Sequence, residues 1–286
     1  MPVALITGAS TGIGRATALR LARAGWTVLA GVRDPAAGEK LLAEAPAAGR
    51  LLALTLDVTD SEQIARAAQT VEEETAQDGR PGTGRLDALV NNAGIGVGGP
   101  LELVTLDDLR WQFEVNVFGQ VAVTQAMLPA LRRAHGRIIL VSSIGGRVAM
   151  AFTAPYAASK HAIEAIGDTL RVELRRSNVQ VAIIEMASVA TPIWDKAQTD
   201  SERLRIPDGL QAEYGQVPAA MEKVLKDAEA RGIPPEQVAE AIERALTAPR
   251  MKARYLVGRQ ARGMLLAKRL LPDLVFDRVA RRALGV

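Results

Sequence analysis

VALITGASTGIG, residues 3–14, is the stretch on which the architecture turns. An apolar segment of strand length, Val3 to Thr7, runs straight into a turn punctuated by Gly8, Gly12 and Gly14, and a helical pattern follows from Gly14 to Ala24. Glycines at such a junction let the chain turn tightly and let the backbone approach a phosphate closely. The helix N-terminus beyond adds orphan N–H groups and the positive end of its dipole. The spacing, G-x-x-x-G-x-G, differs from the G-x-G-x-x-G dinucleotide fingerprint. Taken alone the turn is a weak signal, also compatible with a plain strand-to-helix connection. Its candidate cofactor-binding residues are Gly8, Ser10, Gly12, Ile13 and Gly14.

Working outward, the same alternation repeats. Strand-like runs at Thr27 to Val32, Leu51 to Leu56, Ala88 to Val90, Arg137 to Val141 and Gln180 to Ile184 are separated by helical patterns at Ser61 to Gln77, Leu106 to Arg133 and Tyr156 to Arg176. Near-continuous apolar strands alternating with helices predict an α/β fold, a doubly wound parallel sheet covered on both faces. Ligands in such sheets bind in the crevice beyond the carboxyl ends of the strands. After Thr191 the pattern breaks: Trp194 to Pro218 is polar and interrupted by Pro207, Gly209 and Gly215. Helical periodicity then returns weakly from Ala219 and strongly from Pro235 to Ala248, and a short strand candidate follows at Arg254 to Val257. A long irregular stretch inside a compact domain is unusual unless it serves as a lid. The whole chain, 1–286, therefore reads as one domain, with residues 192–234 as a substrate lid and 258–286 as a basic helical extension.

Polar residues at the strand ends mark the crevice. About 20 residues beyond the glycine turn, a dinucleotide-binding unit places either an acid on the ribose 2′-hydroxyl or an Arg near a 2′-phosphate. Here the residue is Arg33, followed by Asp34. A guanidinium presents a planar donor fork to a phosphate, so NADP(H) is preferred, with NAD(H) as the alternative. Asp57 and Val58 close the third strand; Asn91, Asn92, Ala93 and Gly94 close the fourth. Carboxylate and amide groups there can hold an adenine edge or fix backbone beneath a ribose, although Asp and Asn are also ordinary turn formers.

The sharpest constellation is Ser143, Tyr156 and Lys160, within SSIGGRVAMAFTAPYAASK. Tyr156 and Lys160 stand at i and i+4, on one helix face. An unperturbed Tyr has a pKa of about 10, roughly three units above neutrality. A neighbouring ammonium, together with a positively charged nicotinamide, is expected to lower it. Tyr156 could then trade a proton with an alcohol or ketone while Ser143 donates a hydrogen bond to the same oxygen. His161, five residues after Tyr156, lies about 140° round the helix and reads as a solvated residue.

Composition removes the competing chemistries. The 286 residues contain no Cys and two His, which excludes disulfides, thiolate nucleophiles, Cys-ligated metals and a His-rich metal cage. The net charge of +3 hides an asymmetry: residues 250–286 hold ten basic and two acidic side chains, a net of +8, leaving −5 on residues 1–249. A basic tail of this kind can signal an anionic surface. It lacks the interleaved aromatics that stack bases, so nucleic acid is not expected as a partner. No targeting segment or membrane span is apparent, which predicts a cytoplasmic protein.

Taken in order, TGASTGIG, Arg33, Asp57-Val58, NNAG at 91–94, VNVFG around Asn116, Ser143, YAASK at 156–160 and VAT at 189–191 strongly resemble the short-chain dehydrogenase/reductase family. The resemblance implies a Rossmann-type fold, a nicotinamide cofactor and a tetrad of Asn116, Ser143, Tyr156 and Lys160. In it Tyr is the general acid/base, Ser orients the carbonyl, Lys binds the nicotinamide ribose and lowers the Tyr pKa, and Asn anchors a relay water. Val189 and Thr191 would contact the carboxamide. One departure is Met186-Ala187, where the family usually has Pro-Gly. The SSIGGRVAMAFTAPYAASK segment, the TPIW step, the lid and the tail look most like the hydroxysteroid and retinol dehydrogenase branch, implying a hydrophobic carbonyl or alcohol substrate. The resemblance further implies a homodimer or homotetramer built on the helices Leu106 to Arg133 and Tyr156 to Arg176. A weak membrane-surface contact through the tail is a further expectation. Two other readings are a non-catalytic nucleotide sensor or scaffold and a carrier-linked β-ketoacyl reductase.

Overall fold

The computed structural model describes residues 1–76, 80, 82–191 and 206–284. Seven strands, β1 (Val3–Ile6), β2 (Thr27–Val32), β3 (Arg50–Thr55), β4 (Ala88–Asn91), β5 (Arg137–Val141), β6 (Gln180–Met186) and β7 (Arg254–Val257), form one sheet in the order β3-β2-β1-β4-β5-β6-β7. Every pairing is parallel. The strand order reverses between β1 and β4, and that switch point opens the crevice expected of this topology.

Strand alternation assigns side chains to two cores. Ala4 and Ile6 of β1 face one core with α1 (Gly12–Arg23) and the helix Pro235–Thr247, whereas Leu5 faces the other with α3 (Ser61–Thr75), α5 (Gln120–Ala134) and α6 (Ala154–Glu173). Leu5, Leu89, Ile138 and Ile139 are completely buried. Each such side chain contributes about 1.5–3 kcal/mol on leaving water, which explains why these strands read as continuous apolar runs.

Helix starts follow from capping. Asp60 Oδ1 accepts the N–H groups of Glu62 (2.9 Å) and Gln63 (3.1 Å) at the head of α3. Asp34 accepts from Ala36 N (3.0 Å), and with Pro35 at the first position it starts α2 (Pro35–Ala43), a helix the hydrophobic pattern does not announce. The helical pattern from Leu106 to Arg133 divides into α4 (Leu106–Phe113), a π-helical turn (Glu114–Gly119) and α5. Met186 and Ala187 do not form a turn. Met186 extends β6 opposite Val257, and Ala187 N donates to Val257 O at 3.3 Å. Two helices, Arg259–Leu270 and Asp273–Leu284, carry the tail, and none among the described residues is long and apolar enough to cross a membrane.

Candidate active site

The glycine turn is held by sterics and by one amide. Gly8 adopts φ 63°, and a Cβ on Gly14 would stand 2.2 Å from the Gly8 carbonyl oxygen and 2.5 Å from Asn92 Nδ2. That amide donates to Thr7 O (2.9 Å) and Gly8 O (3.1 Å), binding the end of β4 to the turn after β1. Thr7 Oγ1 accepts from Asn92 N and Ala93 N, both at 3.0 Å. Unlike α2 and α3, α1 begins without a side-chain cap, and it has no acid in its first turn. Its first N–H groups thus face the crevice with a positive dipole and nothing anionic beside them, a cradle for a pyrophosphate. Ser10, Gly12 and Ile13 line that turn, all partly exposed.

Arg33 emerges exposed from the end of β2, with no carboxylate partner among the described residues. Asp34 is committed to capping α2. Asp57 Oδ1 holds Thr59 N (2.9 Å) and Thr59 Oγ1 (2.8 Å), while Val58 is buried against Gly119 of the π turn. Asn91 is fully buried, and its Nδ2 donates to Thr124 Oγ1 at 2.8 Å.

Asn116, Ser143, Tyr156 and Lys160 converge beyond β4 and β5. Asn116, buried on the π turn, accepts from Ile95 N (2.8 Å) and donates to Ile95 O (3.0 Å) and Ser159 Oγ (3.2 Å). Ser159 Oγ in turn donates to Tyr156 O at 2.7 Å. A Cβ on Gly94 would stand 3.2 Å from Asn116 Oδ1 and 3.8 Å from Lys160 Nζ, and one on Gly145 would stand 3.2 Å from Tyr156 Cε1 and 3.5 Å from Ser143 Oγ. Those two glycines keep open the space around which the four side chains gather. Lys160, 4% exposed, donates to Val141 O (2.9 Å), and its Nζ lies 5.7 Å from the Tyr156 ring centroid.

Burial pushes the Tyr156 phenol above its ordinary pKa, and its hydrogen bond with Ser143 offsets this only in part. The lowering expected from Lys160 is thus not produced by the chain's own groups, because desolvation dominates and the ammonium is turned toward the Val141 carbonyl. Burial lowers Lys160 itself to about 8, opposed by Glu164.

Val189 is buried and bridges to Ile233, with Ile233 N donating to Ser188 O (2.9 Å) and Ala190 N to Ile233 O (3.1 Å). Thr191, partly exposed, ends the described segment, and residues 192–205 of the expected lid lie outside the described residues. From 206 onward the chain is described again. Tyr214 donates to Glu102 Oε2 (3.0 Å), and the Met221 Cε lies 3.0 Å from where a Gly98 Cβ would stand, above the loop that follows β4.

Sequence reasoning missed the support beneath the site. Gln112 is fully buried, its Oε1 accepting from Val97 N (2.6 Å) and its Nε2 donating to Ile95 O (3.0 Å). Gln120 Nε2 donates to Ala93 O at 3.1 Å. Gln112, Asn116, Gln120 and Thr124 recur every fourth residue, a polar stripe within a helical pattern whose regularity was the available signal.

Comparison with known proteins agrees with this geometry. Residues 2–202 match the family model for short chain dehydrogenases. The NADPH-dependent 3-dehydrocapnine reductase of Ornithobacterium rhinotracheale is 33% identical over 284 residues, covering 98% of this chain and 96% of its own. Retinol dehydrogenase 5 of Mus musculus is 34% identical, covering 96% of this chain and 86% of its own. A short chain dehydrogenase/reductase from Burkholderia phymatum, solved in complex with NAD, superposes with a TM-score of 0.76 at 26% identity, covering 94% of this chain and 92% of that one. The chain belongs to the short-chain dehydrogenase/reductase family, with its Rossmann-type single domain, and is an oxidoreductase of that family.

Proposed function

We propose that the chain moves hydride between NADP(H) and a carbonyl or secondary alcohol carbon of a hydrophobic substrate, with NAD(H) as the alternative cofactor. The observation that carries this reading is the meeting of Ser143, Tyr156, Lys160 and Asn116 around the space left by Gly94 and Gly145. The residues fit the cofactor: the uncapped start of α1 suits a pyrophosphate, Arg33 a 2′-phosphate, Asp57 and Val58 the adenine edge, and the backbone of Asn91, Ala93 and Gly94 a ribose. Lys160 would hold the nicotinamide ribose, and Val189 and Thr191 the carboxamide. When bound, the nicotinamide supplies or accepts the hydride.

The remaining work falls to the chain. A phenol kept protonated by burial is a proton donor, so Tyr156 protonates the carbonyl oxygen in the reductive direction while Ser143 donates a hydrogen bond to the same oxygen. Relatives named NADPH-dependent 3-dehydrocapnine reductase and retinol dehydrogenase support a substrate that is largely apolar. The segment 192–234 serves as lid, tied at both ends by the Ser188–Ala190 contacts to Ile233.

We further propose a cytoplasmic homo-oligomer. Leu106 (65% exposed), Phe118 (57%) and Val172 (71%) are exposed apolar side chains on α4, the π-helical turn and α6, which supports docking of a second copy along these helices, and light scattering that returned a monomer would refute it. In the tail, exposed Leu266, Leu270, Leu274 and Val279 stand among arginines and support weak contact with an anionic membrane surface, which co-sedimentation with anionic vesicles tests.

The decisive experiment is Tyr156→Phe. Turnover is expected to fall by about 10²- to 10⁴-fold while NADPH still binds, the range that a positioned acid supplies. Substantial residual turnover would refute the assignment.

A further inference from the structure

Glu164 is a buried carboxylate that this mechanism does not use. It follows Lys160 by one turn of α6 on the same face and is 5% exposed. An isolated charge in such a place is costly unless paired, and Glu164 is paired by a residue 90 positions away. Its Oε2 accepts from Arg254 Nε (3.1 Å), reaching across from β7, and lies 3.0 Å from Nη2 of the same guanidinium. Arg254 also holds Asp168 Oδ2 (2.8 Å) on α6 and Glu185 Oε1 (3.1 Å) on β6, and Glu185, itself 2% exposed, takes a second guanidinium from Arg147 (2.8 Å) after β5.

The second oxygen of Glu164 is left over. Oε1 is buried without a hydrogen-bond partner among the described residues, as is Ser142 Oγ. The two groups meet at Gly146, where a Cβ would stand 2.8 Å from Ser142 Oγ and 3.0 Å from Glu164 Cγ. Burial pushes the Glu164 carboxyl above its ordinary range, and the nearby Ser142 hydroxyl and the Arg254 guanidinium oppose that rise. Ser142 sits between Val141, whose carbonyl receives Lys160, and Ser143 of the site. Among the described residues Lys160 has that neutral carbonyl as its hydrogen-bond partner, and the carboxylate whose charge supports it is Glu164.

We propose that Glu164 is a positioning residue for the catalytic lysine: clamped from β7 by Arg254, its buried carboxylate sustains the positive charge of Lys160 and couples the C-terminal strand to the active site. The inference rests on the functional reading above for its catalytic meaning; for the coupling it rests on the one-turn spacing of Lys160 and Glu164 on α6, the Arg254 clamp and the charge of Glu164. The groups facing Glu164 are Lys160 and Asp168 from its own helix, Glu185 from β6, Arg254 from β7, and Ser142 after β5, with Arg147 one step behind Glu185.

The test uses the full chain without cofactor. With ¹³C at Cε of its seven lysines, the Lys160 resonance, assigned by its loss in Lys160→Arg, is titrated by NMR. In Glu164→Gln the Lys160 midpoint is expected to drop from about 8 by on the order of one unit. In Asp168→Asn, at the solvent end of the network, it is expected to stay. Glu164→Asp keeps the charge one methylene further away and is expected to give a smaller drop, and it substitutes should Glu164→Gln fail to fold. An unshifted midpoint in whichever Glu164 variant folds overturns the proposal. The alkaline limb of carbonyl reduction should move with the NMR midpoint. A chain whose lysine shifts while no carbonyl is reduced upholds the coupling and refutes only the functional reading.

Discussion

Gly14→Ala is the most direct probe of the turn on which both the fold and the cofactor cradle depend. The added methyl would meet Gly8 O at 2.2 Å, Asn92 Nδ2 at 2.5 Å and Gly8 C at 2.9 Å. Ordinary contact between such atoms is about 3.5 Å, so the start of α1 must retreat by about 1 Å. No rotamer relieves the clash, because two of the three atoms are backbone and Gly8 is already committed to φ 63°. The third is the amide that donates to Thr7 O and Gly8 O. Overpacking costs about 1–3 kcal/mol, and each amide hydrogen bond lost adds about 1 kcal/mol. The sum, about 3–5 kcal/mol, is a large fraction of a stability of about 5–15 kcal/mol. At about 2–4 °C per kcal/mol the melting temperature should fall by roughly 6–20 °C. Because the retreat also withdraws the N–H groups of the first turn, NADPH binding should weaken at least about tenfold, or about 1.4 kcal/mol. Gly263→Ala, which meets nothing within 4 Å, is the matched control and should be neutral or stabilising by up to about 1 kcal/mol. Calorimetry and NADPH fluorescence titration measure both quantities. A Gly14→Ala protein that melts within about 2 °C of the parent and binds NADPH equally well would refute the packing argument.

Two further outcomes are expected. Replacing Arg33 by Ala should weaken NADPH binding by roughly 10- to 100-fold, the equivalent of about 1.5–3 kcal/mol for a charged hydrogen bond, and leave NADH binding nearly unchanged; equal losses for both would remove the 2′-phosphate assignment. Carbonyl reduction should decline as pH rises past about 8, where Lys160 loses its proton, while Tyr156, raised by burial, remains protonated. The sign for stability is the reverse. The unfolded chain keeps the lysine proton up to about 10.5, so this group destabilises the fold below about 8 and the penalty is relieved between those values. Rate profiles and chemical denaturation across that interval read the two effects separately, and a rate that holds constant to pH 10 would exclude Lys160 as the group controlling the limb.

What could be read from the sequence was whatever is local. β1 to β6 were legible because burial on both faces makes each an unbroken apolar run. Three of the candidate catalytic positions were open to a local reading, Ser143 because it follows a strand end and Tyr156 and Lys160 because they stand one turn apart on a helix, whereas Asn116 came from the family resemblance. Helix α2 was not, since only Gly38 and Leu41 of its nine residues are buried and no apolar period develops; the Asp34-Pro35 pair that starts it was the better signal. The π turn was invisible for a different reason. A single extra residue per turn leaves composition untouched, and its consequence, Asn116 aimed at Ile95 and Ser159, exists only once β4 and α6 are in place.

The ionisation of the site lies furthest from the sequence. A Tyr and a Lys at i and i+4 suggest a phenol made more acidic by an ammonium, yet burial reverses the direction for Tyr156 and brings Lys160 down as well. Desolvation belongs to whatever surrounds a group, and around Lys160 that includes a carboxylate held by an arginine on the last strand of the sheet. The asymmetry in charge, −5 on the body and +8 on the segment from Arg250, therefore has one consequence inside the protein as well as on its surface. Arg254 belongs to that basic segment, and its guanidinium opposes the burial that raises the Glu164 carboxyl behind the site. Shortening the chain before β7 would remove more than a strand and two helices: it would leave the buried Glu164 without its counter-ion, at a cost of about 3–5 kcal/mol, whereas Glu185 would keep Arg147.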